Sequence, residues 1–132
     1  MSEENVETVR GIYREWERGN FRAGTDLFDH DTVLVLRTPL PEAGTYRGPE
    51  EIRGYMLSFL ETWDDAAIEG ESFIAVGDRV VVGVHQQATG IESSIPVAMR
   101  YFQVWSFRGG RILRIESIRE RDQALEAAGL RD

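Results

Sequence analysis

The sequence predicts one α+β domain, with helices packed on one face of a curved antiparallel sheet. Three observations lead there. The first half holds amphipathic stretches at helical spacing, and the second half holds β-branched runs separated by turn residues. No repeat, low-complexity tract or Pro/Ser-rich linker interrupts the 132 residues, the length of one ordinary domain spanning 1–132. Apolar residues make up 42% and charged residues 29%, the balance of a chain that buries a core without disulfides or a structural metal.

The elements follow in order. Val6, Val9, Ile12, Tyr13 and Trp16 recur at spacings of three and four, giving one apolar stripe. Glu3, Glu4 and Glu7 occupy the first turns of this helix and Arg14 and Arg18 its last, as the helix dipole prefers. Gly19-Asn20 stops it. Phe21, Ala23, Leu27 and Phe28 suggest a second, short helix, and Asp29-His30-Asp31 a polar break. Thr32 to Arg37 reads as a strand ended by Thr38-Pro39-Leu40-Pro41, because proline cannot donate to a ladder. Gly44 to Gly48 reads as a loop. Pro49 suits the first position of a helix that carries Ile52, Tyr55, Met56, Phe59, Leu60 and Trp63 and ends at Asp64-Asp65. Strands are expected over Ile68–Val76, Val80–Ala88, Val97–Phe107 and Ile112–Arg119. Turns at Gly77-Asp78 and Gly109-Gly110 and a polar loop over Thr89–Ser94 separate them. Gln123 to Ala128 forms a last short helix, closed by Gly129.

Composition narrows the function classes. Fifteen basic residues face 23 acidic ones, a formal net of −8. An acidic surface repels phosphate backbones and anionic headgroups, so neither nucleic acid nor a membrane is expected as a partner. The chain has no Cys, which removes disulfides, thiolate metal sites and a Cys nucleophile. It has no Lys either, which removes Schiff-base chemistry and a lysine-linked pyridoxal cofactor. No cofactor is expected. The start, Met1-Ser2-Glu3-Glu4-Asn5, is polar and acidic, and no apolar run is long enough to span a bilayer, so a cytoplasmic address is expected.

The longest strand points to a pocket. Val97, Met99, Tyr101, Gln103, Trp105 and Phe107 share one face of it, and Gln103 is the one polar member deep in that run. Facing the helices, Gln103 would be buried and would need a hydrogen-bond partner. Tyr13, Trp16, Tyr55, Phe59, Tyr101 and Trp105 are large and irregular, and they leave gaps where they meet. An apolar cavity with a few fixed polar groups is one outcome. A solid core, with Gln103 satisfied by backbone, is the other. His85 falls opposite Val80, Val82, Val84 and Ala88, which favours the surface or an interface over the cavity. Asp29-His30-Asp31 offers metal-ligating types, but three consecutive residues rarely converge on one ion, so a solvated turn is favoured and no metal is expected.

Four stretches carry a resemblance: Trp16-Glu17-Arg18-Gly19-Asn20 with Phe28-Asp29-His30-Asp31; Tyr46 through Ile52; Val104 through Ile112; and Arg119 through Leu130. In order and spacing they resemble the NTF2-like superfamily, and within it the SnoaL-like group. The resemblance implies a cone, in which a strongly bent sheet wraps a pocket lidded by helices. It also implies a homodimer paired through the outer sheet face. The superfamily includes polyketide cyclases, ketosteroid isomerases, epoxide hydrolases and non-catalytic binders, and fold alone does not choose among them. The isomerase base would fall at Thr38, which cannot serve, and its oxyanion acid at Gln103. No pair of acids falls on the inner wall for an epoxide hydrolase. The alignment with the family places Leu113, Ile115, Ser117 and Arg119 on the inner face, with Arg119 at the cavity rim, where it would clamp a carboxylate or polar oxygen or pair with a neighbouring acid such as Glu120 or Asp122. The expected ligand site is therefore Tyr13, Trp16, Tyr55, Phe59, Tyr101, Gln103, Trp105 and Arg119. Its expected occupant is a small, largely hydrophobic or aromatic metabolite. Two readings stay open: a cofactor-independent cyclase or isomerase, and a non-catalytic small-ligand-binding or structural dimer module.

Overall fold

The computed structural model describes residues 2–37 and 44–129. It contains helix α1 (Ser2–Glu17), strands β1 (Phe28–Arg37) and β2 (Gly44–Arg47), helix α2 (Gly48–Thr62), strands β3 (Trp63–Val76), β4 (Arg79–Gly90), β5 (Pro96–Arg108) and β6 (Arg111–Ile118), and helix α3 (Arg121–Ala127). The strands form one curved sheet in the order β2-β1-β6-β5-β4-β3.

The sheet is mixed, where the sequence predicts an antiparallel one. β3 to β6 are the expected meander, and β1 pairs with β2 antiparallel, but β1 lies parallel to β6, with Leu34 opposite Ile115 and Leu36 opposite Ser117. Connectivity is the reason. After β2 the chain crosses the sheet through α2 to its far edge, and the meander walks back until β6 reaches β1. That pairing joins segments about eighty residues apart, which no local pattern encodes.

Alternation along the strands divides the interior into two layers. Val80, Val82, Val84, Tyr101, Trp105 and Ile115 face α1 and α2 on the concave side, where Val9, Ile12, Tyr13, Ile52 and Phe59 are buried against them. Each such side chain stabilises the fold by about 1.5–3 kcal/mol when fully removed from water. One residue along, Val81, Val104 and Ile118 face the opposite side, where Ala124 and Ala128 cover them. The sequence places helices on the concave face, and α1 and α2 lie there. α3 does not, because the strand ending at Ile118 feeds it onto the convex face.

Other local differences have plain causes. The expected second helix reduces to turns and a short 3₁₀ segment, Thr25–Leu27. Gly24 sits at φ 92°, a conformation that a helix cannot contain. A Cβ there would come within 2.8 Å of Ile12 Cδ1, so only glycine lets this turn close against α1. Asp29-His30-Asp31 belongs to β1, kept irregular by the Asp29 carboxylate, which accepts the Asp31 N–H at 3.0 Å. Thr32 is fully buried and its hydroxyl meets the Asp29 and Ile112 carbonyls at 2.8 and 2.5 Å. The expected loop at Gly44–Arg47 pairs with β1 as β2. Trp63 opens β3 instead of closing α2. The expected stop at Thr38-Pro39-Leu40-Pro41 lies outside the described residues.

Candidate ligand cavity

The concave face encloses a cavity of about 940 Å³. Its aromatic wall is Trp16 from α1, Tyr55 and Phe59 from α2, and Tyr101 and Trp105 from β5. Leu34 from β1 and Ile115 from β6 add aliphatic surface. Gln103, Ser117 and Gln86 bring polar atoms to the same wall. The spacing of two along β5 sets Tyr101, Gln103 and Trp105 side by side on it.

Gln103 is buried and fully anchored. Its Oε1 accepts a close hydrogen bond from the Tyr13 hydroxyl, and its Nε2 donates to Ser117 Oγ at 3.2 Å. The Tyr13 oxygen in turn accepts from Trp105 Nε1 at 3.4 Å. Four residues on three elements thus form one chain of donors, Trp105 to Tyr13 to Gln103 to Ser117. Tyr13 is packed edge-on against Trp16 at 4.9 Å and Trp105 at 6.0 Å between ring centres. It stands behind Gln103 and outside the cavity lining. Burial pushes the Tyr13 and Tyr101 phenols up from their ordinary range, so both stay neutral donors. The Tyr101 hydroxyl donates a hydrogen bond to Gln86 Oε1 at 2.7 Å, a second fixed polar station.

Arg119 does not reach the cavity. β6 ends at Ile118, and the chain bends at Arg119 and exposes it, so strand parity no longer governs its direction. Thr38 lies outside the described residues. His85 is also outside the lining. It points from β4 to the convex face, in register between Glu69 of β3 and Arg100 of β5. There Glu69, Glu71 and His85 bring ligand atoms within 4.8 Å of one another, a grouping the sequence did not suggest because a β-bulge between Gly70 and Ser72 sets it. Arg100 already donates to both Glu71 oxygens, at 3.0 and 3.3 Å, and holds that carboxyl below its ordinary value.

Sequence reasoning missed Gln86 and the mouth. Gln86 shares parity with Val82, Val84 and Ala88, so the signal was present in the alternation. The mouth is formed by exposed lining residues from two places. Asn20, Arg22, Thr25 and Asp26 come from the turns after α1, and Arg53, Leu57 and Leu60 come from α2. Positive φ at Gly19 and Gly24 shapes the first group, and no spacing rule would have gathered it.

The sequence is matched by a family model described as the SnoaL-like domain, over residues 9–115. The chain belongs to the SnoaL-like domain family. No curated protein matches the sequence significantly. Solved structures of the same fold include an NTF2-like protein from Burkholderia thailandensis, with TM-score 0.79 and 21% identity over 96% of this chain and 97% of that one. Another is TerC co-crystallised with polyporic acid, with TM-score 0.72 and 20% identity over 96% and 98%. A third is a Catenulispora acidiphila protein with a ketosteroid isomerase-like fold in complex with trimethylamine, with TM-score 0.70 and 17% identity over 99% and 96%. These likenesses show the NTF2-like fold. In this SnoaL-like domain the residue at the expected oxyanion position, Gln103, is a neutral amide held on both sides.

Proposed function

We propose that this SnoaL-like domain holds a small, largely hydrophobic or aromatic metabolite in its cavity, with a carbonyl or hydroxyl oxygen set against Gln103. The observation that carries the reading is the cavity itself: about 940 Å³ with an aromatic wall and one anchored amide. Ligand pockets of roughly 300–1,000 Å³ take molecules of drug size, so the volume suits two to four fused rings. That a protein of the same fold was crystallised with polyporic acid is in keeping with an aromatic occupant.

Cyclase or isomerase chemistry would require a group that moves a proton. Among the described residues Asp26 is the one carboxylate in the lining, and it is exposed at the mouth. The interior polar groups are amides and hydroxyls, which stabilise developing negative charge on oxygen but do not carry a proton away. The uncharged interior supports holding a ligand over transforming one.

Filling the cavity tests this. Met99 lines it, half-buried near the sheet edge beside Gln86. Phenylnaphthylamine, a neutral fluorescent probe, should bind the native protein one-to-one. Met99→Trp should weaken that binding by about 30-fold or more while the melting temperature moves little, because the new ring enters existing space. Equal binding by the two proteins would place the probe elsewhere and remove the cavity from the function.

Pairing through the outer sheet face is proposed as well. α3 covers that face only around Val81, Val104 and Ile118, leaving Glu71 and Arg100 exposed with His85 half-buried beside them. Light scattering at micromolar concentration should give a mass near twice 15.0 kDa, and a clean monomer would contradict the pairing.

A further inference from the structure

The charges at the mouth say more about the ligand. Resting on the reading of the cavity as a ligand site, we propose that the ligand is an acid: a polycyclic or aromatic body that enters the cavity, with a carboxylate or comparable anionic group held at the mouth by Arg22 and Arg53. Among the described residues the lining contains three ionisable side chains besides its tyrosines, namely Arg22, Arg53 and Asp26, a net of +1 on a chain whose formal net charge is −8. Positive charge is therefore concentrated at this opening against the sign of the whole molecule, and such a local field gathers anions.

Both guanidiniums are available. Among the described residues neither forms an ion pair, whereas Arg10, Arg18, Arg37, Arg100, Arg108 and Arg114 each face a carboxylate. Both also stand on fixed backbone. The Arg22 carbonyl accepts from the Thr25 N–H at 3.2 Å and from the Thr25 hydroxyl at 2.9 Å, which pins the turn and leaves the side chain free. Arg53 rises from the second turn of α2. A guanidinium presents a planar fork of donors that matches a carboxylate. The polarity of the cavity sets the direction of entry. A charged group cannot be carried into an apolar interior without a large cost, so an amphipathic acid enters ring-first and leaves its anion at the rim.

A matched pair of probes separates this inference from the cavity reading. Anilinonaphthalene sulfonate is phenylnaphthylamine bearing one sulfonate. On the full chain, the sulfonate should bind at least about 5-fold more tightly than the neutral probe, be displaced by it, and weaken as salt is added. The double variant Arg22→Gln/Arg53→Gln should lose about tenfold in affinity for the sulfonate and stay within about twofold for the neutral probe. If the neutral probe binds and the sulfonate binds no better, or if the variant loses both equally, the anion inference fails and the cavity reading stands. If neither probe binds the native protein, both fail.

Discussion

Trp105→Ala should be the most damaging single substitution in the cavity wall, with a loss of about 3–5 kcal/mol of stability. Trp105 is 1% exposed, the largest fully buried side chain of the domain. It sits toward the C-terminal end of β5, with Val80 of β4 on one side and Ile115 of β6 on the other. Its ring contacts Trp16 and Tyr13 of α1 at 5.9 and 6.0 Å between centres, so it is where the helix meets the sheet. Truncation removes the transfer free energy of the indole and breaks the bond to the Tyr13 oxygen. The void would open onto the existing cavity, so little collapse could recover the lost contacts. Total stability for such domains is about 5–15 kcal/mol. A loss of this size should lower the melting temperature by about 10–20 °C for a chain of this length. Trp105→Phe keeps a ring in the site and should cost about half as much. Urea unfolding of the three proteins measures it. A loss below about 1 kcal/mol for the alanine variant would mean that α1 does not pack on β5 as described.

The sites of these effects differ in how far the sequence exposes them. β5 was readable because a strand's period of two is strict: once Tyr101 and Trp105 face the core, Gln103 between them must also. The same rule carried to Arg119 fails, because the strand stops one residue earlier and a bend has no parity. On α1, the helical stripe correctly joins Tyr13 and Trp16, but one lines the cavity and the other stands behind its wall. A hundred degrees per residue fixes a face, not which side of a neighbouring strand a ring tip reaches. The mouth was the least legible part. Its two halves come from segments about thirty residues apart, and they meet only after the sheet has closed over the helices. Cavity volume is likewise set by how distant side chains fail to fill the space between them, and no window of sequence contains that.

The second large effect concerns the hydrogen-bond chain, where two substitutions should each be harmful and together be less than additive. Gln103→Leu leaves the Tyr13 hydroxyl proton buried without an acceptor, and Ser117 Oγ without its donor. An orphaned buried group costs about 1–3 kcal/mol. The domain should therefore still fold, with a lower melting temperature. Tyr13→Phe orphans Trp105 Nε1 and removes the donor to Gln103 Oε1. Because Gln103 lines the cavity, water can replace that donor, so this loss should lie nearer 1 kcal/mol. In the double variant both ends of the central bond are gone, so the cost of the stranded Tyr13 hydroxyl, which Gln103→Leu alone incurs, is absent. The coupling free energy from the double-mutant cycle should be about 1–2 kcal/mol. Burial keeps Tyr13 protonated, so its hydroxyl donates to the amide oxygen across the working pH range and the polarity of the chain is fixed. Ligand binding supplies the independent readout. Gln103→Leu should weaken a ring compound bearing a carbonyl by about tenfold relative to its hydrocarbon counterpart, because only the former uses the amide. Additive stability losses, with coupling under about 0.3 kcal/mol, would show that Tyr13 and Gln103 do not share a bond in the folded domain. Equal affinity changes for the two compounds would show that the amide does not face the ligand.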